Sequence, residues 1–291
     1  MTPDIHELIR GRALAPEGKP VFLFGGELHY FRMPRLHWRD RLRKARAAFL
    51  NVIGAYIPWN YHEPEEGRFD FESDRDLRVW LECIRESGMY LFARPGPYIC
   101  SEWDGGGLPA WFFGKDRLAR TDDSEYLEAV SRWFRAVNGI IRDFLLGRGG
   151  NRGRVKSTSA DFRGNLILYQ IENELIWNEP QYFRKMVAWA RRDGITCPLL
   201  TNLAPDVRKS PDNIDSLDLY PGPWNIHKPE VSIANLLEEQ PAKPPACVEL
   251  QMGFAAETGS TLPTMTGLID KEWVEVHTKN TIARGLNILN Y

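Results

Sequence analysis

Leu166-Ile167-Leu168-Tyr169-Gln170-Ile171-Glu172-Asn173-Glu174 is an apolar run that ends in Glu-Asn-Glu and then gives way to helical periodicity. A strand buried on both faces has this continuous apolar character. A carboxylate at the mouth of such a strand loses hydration, so it needs either a partner or a chemical task. Ala246-Cys247-Val248-Glu249-Leu250 repeats the pattern, a short apolar run ending in glutamate. Two glutamates at the ends of two different strands are the minimum equipment for cleaving a glycosidic bond.

Outward from these two runs, strand and helix patterns alternate. Val21 to Tyr30, Val52 to Trp59 and Met89 to Arg94 read as strands, as do Leu166 to Ile171, Pro198 to Thr201, Ile214 to Leu219, Ala246 to Leu250 and Leu286 to Tyr291. Between them lie helical stripes: Trp38, Leu42, Ala45 and Phe49; Leu77, Trp80, Leu81 and Ile84, stopped at Gly88; Tyr126, Val130, Trp133, Val137, Ile140 and Phe144. Further on come Phe183, Met186, Val187 and Ala190, then a helix from Lys271 to Arg284. Eight near-continuous apolar strands separated by helices predict an α/β fold, a TIM (β/α)8 barrel. An open doubly wound sheet is the competing architecture, but Gly25-Gly26-Glu27 is not the Gly-rich phosphate turn that would announce it. Gly147 to Gly164, rich in Gly, Arg and Ser, reads as a surface excursion rather than a linker. Residues 1–291 are therefore expected to form a single barrel domain that ends at its eighth strand without a final helix, the catalytic part of a longer protein.

Composition narrows the partners. With 291 residues, 43% hydrophobic, 26% charged and a net charge of −2, the chain gives no electrostatic reason to expect nucleic acid or an anionic membrane. No apolar stretch reaches the roughly 20 residues of a membrane span. Met1 to Pro20 lacks the apolar core of a secretory signal, which makes a cytoplasmic location the expectation. Cys83, Cys100, Cys197 and Cys247 sit singly in apolar runs, without zinc or disulfide spacing. Ten Trp and ten Tyr suit the apolar faces of sugars, although most such rings fill cores.

Barrel enzymes carry their chemistry at the carboxyl ends of strands. Those ends offer Glu27, His29 and Tyr30; Tyr56, Trp59, Asn60, His62 and Glu63; Tyr98, Cys100, Ser101, Glu102 and Trp103; Glu172, Asn173 and Glu174; Tyr220; and Glu249 with Gln251. Carboxylates, amides and rings together suit a neutral polyhydroxylated ligand, a carbohydrate. If the strand continued through them, Glu172 and Glu174 would share a side with Asn173 opposed. Glu174, furthest out, is the expected general acid, against the plain alternative that it or Asn173 caps the next helix. For Glu249 the plain alternative is pairing with Arg94 or Arg284. A retaining mechanism needs the two carboxyls about 5–5.5 Å apart, an inverting one about 6.5–9.5 Å. The negative charge of Glu249 would help keep the acid protonated. His29 and His62 lack metal spacing, Gly105-Gly106-Gly107 lacks the lysine of a phosphate loop, and Ser101 lacks a nucleophile-elbow context. Arg117 to Arg120 and Arg148 to Lys156 are expected to be solvated surface.

Three segments resemble glycoside hydrolase family 35, the β-galactosidases. They are Gly54-Ala55-Tyr56-Ile57-Pro58-Trp59-Asn60-Tyr61-His62-Glu63-Pro64, Arg94-Pro95-Gly96-Pro97-Tyr98-Ile99-Cys100-Ser101-Glu102-Trp103 with Gly106-Gly107-Leu108-Pro109-Ala110-Trp111, and Gln170-Ile171-Glu172-Asn173-Glu174. The resemblance spans Gly25 to Tyr291. It implies a TIM barrel, a retaining exo-acting mechanism on terminal β-galactose, and no cofactor or required metal. It makes Glu174 the acid/base and Glu249 the nucleophile, and puts Tyr56, Cys100, Ser101, Glu102, Asn173 and Tyr291 around the sugar. Glu27, Ser101 and the Leu-Gln-Met-Gly after Glu249 depart from the family pattern and bear on which sugar is bound. A barrel glycosidase for β-glucose or β-mannose and a non-catalytic carbohydrate-binding barrel are the rival readings.

Overall fold

A computed structural model describes residues 8–113, 118–147, 164–176, 180–203, 207, 213–219, 229–251 and 271–291. Eight parallel strands close into one barrel in chain order: β1 Leu23–Glu27, β2 Val52–Tyr56, β3 Tyr90–Arg94, β4 Leu166–Gln170, β5 Leu199–Asn202, β6 Asn213–Leu219, β7 Ala246–Leu250 and β8 Ile288–Asn290. Closure is made by β8 on β1, with Ile288, Leu289 and Asn290 opposite Leu23, Phe24 and Gly25. The expected (β/α)8 barrel is what forms. Its helices are α1 Trp38–Ala47, α2 Leu77–Glu86, α3 Ser124–Ile141, α4 Pro180–Arg192, α5 Pro229–Glu239 and α6 Lys271–Ala283. The connection from β5 to β6, residues 203–212, is shorter than the dozen or so residues a helical crossover takes.

Local chemistry sets the element ends. Asp76 and Asp123 cap α2 and α3, their carboxylates accepting from the Val79 and Tyr126 amides at 3.0 and 2.9 Å. β2 stops before Pro58, which has no amide to donate to a ladder, so Trp59–His62 forms a helical turn instead of more strand. Phe49 does not belong to the inner stripe of α1: the helix ends at Ala47, and Phe49 takes a left-handed turn (φ 65°) that leaves its ring exposed. A hairpin, Ile9–Arg10 with Ala13–Leu14, and helix α5 lie outside the sequence reading. The hairpin strands are too short for alternation to show.

Two layers of apolar packing hold the barrel. Inside, Leu23, Val52, Phe92, Leu168, Leu200, Ile214, Val248 and Ile288 form a cluster that Leu14 of the hairpin joins near the strand starts. Outside, α1 to α4 pack on the sheet through Trp38, Trp80, Trp133, Phe134 and Met186, while Ile233 of α5 packs with the outer residues of β6 to β8. The opposite end of the barrel is thus free of apolar plugging and can be polar. Among the described residues no helix is long and apolar enough to cross a membrane. The excursion at 148–163, with Arg148 to Lys156, lies outside the described residues, as do Arg117 and Tyr220.

Two glycines test this packing in opposite directions. At Gly106 (φ 60°) an added Cβ would stand 2.0 Å from Cε2 of Tyr98, whereas Gly139, inside α3, has nothing within 4 Å of that position. Gly106→Ala should lower stability by about 2 kcal/mol or more, and Gly139→Ala should raise it by about 0.5–1 kcal/mol. Urea unfolding midpoints of the two variants check both signs.

Candidate functional site

Every barrel strand delivers a polar side chain at its carboxyl end, and these side chains bond to one another. Arg94, the last residue of β3 and 1% exposed, is the hub. Its Nη1 donates to Oε1 of Glu27 on β1 (2.6 Å), and its Nη2 donates to Oε1 of Glu249 on β7 and Oδ1 of Asn173, both at 2.9 Å. The guanidinium carbon lies 3.9 Å from the centre of the Tyr56 ring, and the Tyr56 hydroxyl donates to Glu249 at 2.7 Å. Asn290 on β8 donates to Glu27 (2.5 Å). On the other side, Gln170 of β4 donates to Asn202 of β5 (2.9 Å), and Asn202 donates to Asp218 of β6 (2.7 Å). Burial works against the charged guanidinium, but Tyr56, Glu27 and Glu249 around it more than offset that and raise Arg94 above its ordinary value. Burial likewise raises the Glu27 carboxyl, with the Arg94 charge opposing.

The turn after β4 sorts three consecutive polar residues into three directions. The strand has ended at Gln170, and both Glu172 (φ 62°) and Glu174 (φ 47°) are left-handed. Glu172 and Glu174 therefore do not share a side. Glu172 is buried against Arg120, whose Nε and Nη2 donate to it at 3.0 and 2.7 Å, and against the Tyr182 hydroxyl, which donates at 2.6 Å. Asn173 turns to Arg94 and accepts from Gln170 (3.1 Å), while Glu174 lines the hollow. Arg120, expected at the solvated surface, is instead buried: it also donates to the carbonyls of Asn173 (2.6 Å) and Glu174 (3.2 Å) and stacks over Tyr98 at 3.9 Å. Left-handed non-glycine residues cost of order 1–3 kcal/mol each, so a fixed anchor is what keeps such a turn.

A second left-handed run follows β3. Cys100, Ser101 and Glu102 have φ of 54°, 55° and 44°, and Arg32 donates to the Ser101 carbonyl at 2.8 Å. Burial raises the Cys100 thiol, which stays S–H. Other strand-end candidates serve the scaffold. His62 is buried and bonded to the Tyr30 hydroxyl and the Asp70 carbonyl, Glu63 accepts from the Gly67 amide (2.7 Å), and Trp103 donates to Asn60 (2.8 Å).

These elements enclose a hollow of about 480 Å³ lined by Glu27, His29, Tyr56, Cys100, Ser101, Glu102, Glu174, Glu249 and Tyr291, with Val248, Leu250 and Gln251. All the residues that the family resemblance assigned to the site meet there except Asn173, which stands behind them on Arg94. Burial, with the charges of Arg32 and Arg94, lowers His29 to about 4, so it is neutral near pH 7. Carboxyl oxygens of Glu174, Glu249 and Asp218 lie within 4.8 Å of one another. Sequence reading passed over Asp218, Asn202 and Gln170; Leu217-Asp218-Leu219 carries the same signal as Val248-Glu249-Leu250, a carboxylate between apolar residues at a strand end. Among the described residues this acidic trio is the one set of three donors close enough to share a cation. It contains no histidine or thiolate, and Arg94 already supplies fixed positive charge beside it, which suits shared protons.

Comparison with known proteins places the chain in a family. The family model for glycosyl hydrolases family 35 matches residues 13–291. The β-galactosidase of Mus musculus is 40% identical over 159 residues, and that of Homo sapiens 43% over the same length. The matched region is 54% of this chain but only 22% and 21% of those proteins. An exo-β-1,4-mannosidase from Opitutaceae bacterium strain TAV5 shares the barrel at TM-score 0.68 and 13% identity, covering 100% of this chain and 55% of that one. A GH5_18 protein from Streptomyces cattleya, solved in complex with GlcNAc, does so at TM-score 0.66 and 12% identity, covering 93% and 70%. The two solved structures speak for the fold alone, whereas the family match runs through both glutamate strands and the polar end they share: the chain belongs to glycosyl hydrolases family 35.

Proposed function

We propose that residues 1–291 form the catalytic barrel of a retaining exo-β-galactosidase that removes terminal β-linked galactose from oligosaccharides or glycoconjugates. The observation that carries this reading is the approach of Glu174 and Glu249 across one hollow, with carboxyl oxygens within 4.8 Å. That spacing supports retention, because an inverting pair needs about 6.5–9.5 Å to admit a water. Family membership and the β-galactosidase relatives support the sugar.

In the first step Glu249, held by Arg94 and Tyr56, attacks the anomeric carbon. Glu174 gives its proton to the glycosidic oxygen, and the aglycone leaves as an alcohol. In the second step Glu174, now a carboxylate, takes a proton from water. The resulting hydroxide attacks the anomeric carbon, releases Glu249 and restores the β configuration. Tyr56, Cys100, Ser101, Glu102 and Tyr291 line the wall against which the sugar is held, and Asn173 reaches that wall through Arg94.

Glu249→Gln should lower kcat/KM for phenyl β-galactoside by about 10³-fold or more, and Glu174→Gln by about 10²–10⁴-fold. The Glu174 variant should keep most of its first-step rate on a dinitrophenyl β-galactoside, whose leaving group needs no proton. Undiminished turnover by either variant contradicts the assignment. Proton NMR of a fresh reaction should show β-galactose before mutarotation, and α-galactose appearing first would rule out retention. Across a panel of aryl glycosides the β-galactoside should have the highest kcat/KM, and preference for the β-glucoside or β-mannoside would reassign the sugar.

A further inference from the structure

Asp218 lies beside Glu249 because of an irregularity in the sheet. Along β6 and β7, Leu217 is opposite Cys247, then the register shifts and Asp218 falls opposite Glu249 instead of Val248. Such bulges re-aim a side chain at a particular place. Asp218 Oδ2 accepts from Asn202 Nδ2 at 2.7 Å, while Oδ1 is buried and has no hydrogen-bond partner among the described residues. The same Asn202 accepts from the Glu174 backbone amide (3.0 Å), so one side chain yokes Asp218 to the turn that carries Glu174. A buried carboxyl that has one oxygen without a donor and one oxygen within 4.8 Å of two other carboxyls is a natural place for a proton.

We propose that Asp218 is a positioning residue for the acid/base proton: it shares protons with Glu174, and once the pair has lost one proton, the charge left behind holds the other between them. This rests on the reading of Glu174 as acid/base. The groups facing Asp218 are Glu249 and Cys247 from β7, Glu174 from the turn after β4, Arg94 from β3 and Asn202 from β5. Burial first, then the charges of Glu249 and Glu174, raise the Asp218 carboxyl well above the usual range, with Arg94 opposing. Cys247 is raised too, by burial and then by Asp218, and stays a neutral thiol. The sign follows. As pH rises, the first of the two to ionise makes ionisation of the other harder, so the pair keeps its last proton to higher pH than Glu174 would beside a neutral neighbour. The proton is needed when the leaving group is poor and hardly at all when it is good.

The test compares the full chain with Asp218→Asn, which can still accept from Asn202 but cannot ionise. For phenyl β-galactoside, the alkaline limb of kcat/KM should move to lower pH by about half a unit or more. For dinitrophenyl β-galactoside, kcat/KM, which reports the first step alone, should stay within about threefold of the native value, and Asp218→Glu should restore the limb. An unmoved or raised limb, or equal loss on both substrates at all pH values, overturns the proposal. If Asp218→Asn does not fold, carbon-detected NMR titration of the native side-chain carboxyls decides. Asp218 and Glu174 titrating together in two steps is expected, and an independent single titration of Asp218 contradicts it. Absence of turnover by the native chain on every β-galactoside would instead remove the activity reading, and the NMR titration would still judge Asp218.

Discussion

One buried guanidinium organises the working end of this barrel. Arg94 is the cation that bonds both Glu27 and Glu249, and it also fixes the amide of Asn173. Breaking a buried ion pair by removing one partner typically costs about 3–5 kcal/mol, because the charge left behind has no water to return to. The same contacts link β1, β3 and β7 to the turn that presents Glu174. Barrel closure and placement of Glu249, the proposed nucleophile, are therefore one arrangement seen from two sides.

Around that hub the backbone is held in conformations it would otherwise avoid. Left-handed Cys100, Ser101, Glu102 and Glu174 line the hollow, and left-handed Glu172 sits in the turn behind it. Arginines fix both runs, Arg32 through the carbonyl of Ser101 and Arg120 through the Glu172 carboxylate and the carbonyls that follow it. Strain met by rigid anchors is the structural form of preorganisation: the groups face the substrate before it arrives, so little is spent on ordering them during reaction.

Much of this was legible in the chain. Near-continuous apolar runs reported the eight strands, and Glu249 stood out as a charge between Val248 and Leu250. What escaped did so for physical reasons. Arg120 sits in a basic stretch that looks solvated, and its partner Glu172 is 52 residues away, so nothing local marks it as buried. The split between Glu172 and Glu174 depends on where β4 ends, and the apolar run continues one residue past that point to Ile171. Asp218 joins Glu174 and Glu249 through a register shift between neighbouring strands, which no single-strand pattern encodes. Asn202 and Gln170 are ordinary amides until the closed barrel makes them neighbours.

In the proposed mechanism the carboxylate gripped by Arg94 and Tyr56 is the one that becomes bonded to sugar. A β-galactosyl fluoride carrying fluorine in place of its ring 2-hydroxyl slows the second step and leaves the intermediate on the protein, where peptide mass mapping can locate it. The account predicts a single fluorogalactosyl adduct on Glu249 and loss of activity in step with its formation. An adduct on Glu27, Glu174 or Asp218, with Glu249 unmodified in a chain that still turns over β-galactosides, would contradict it.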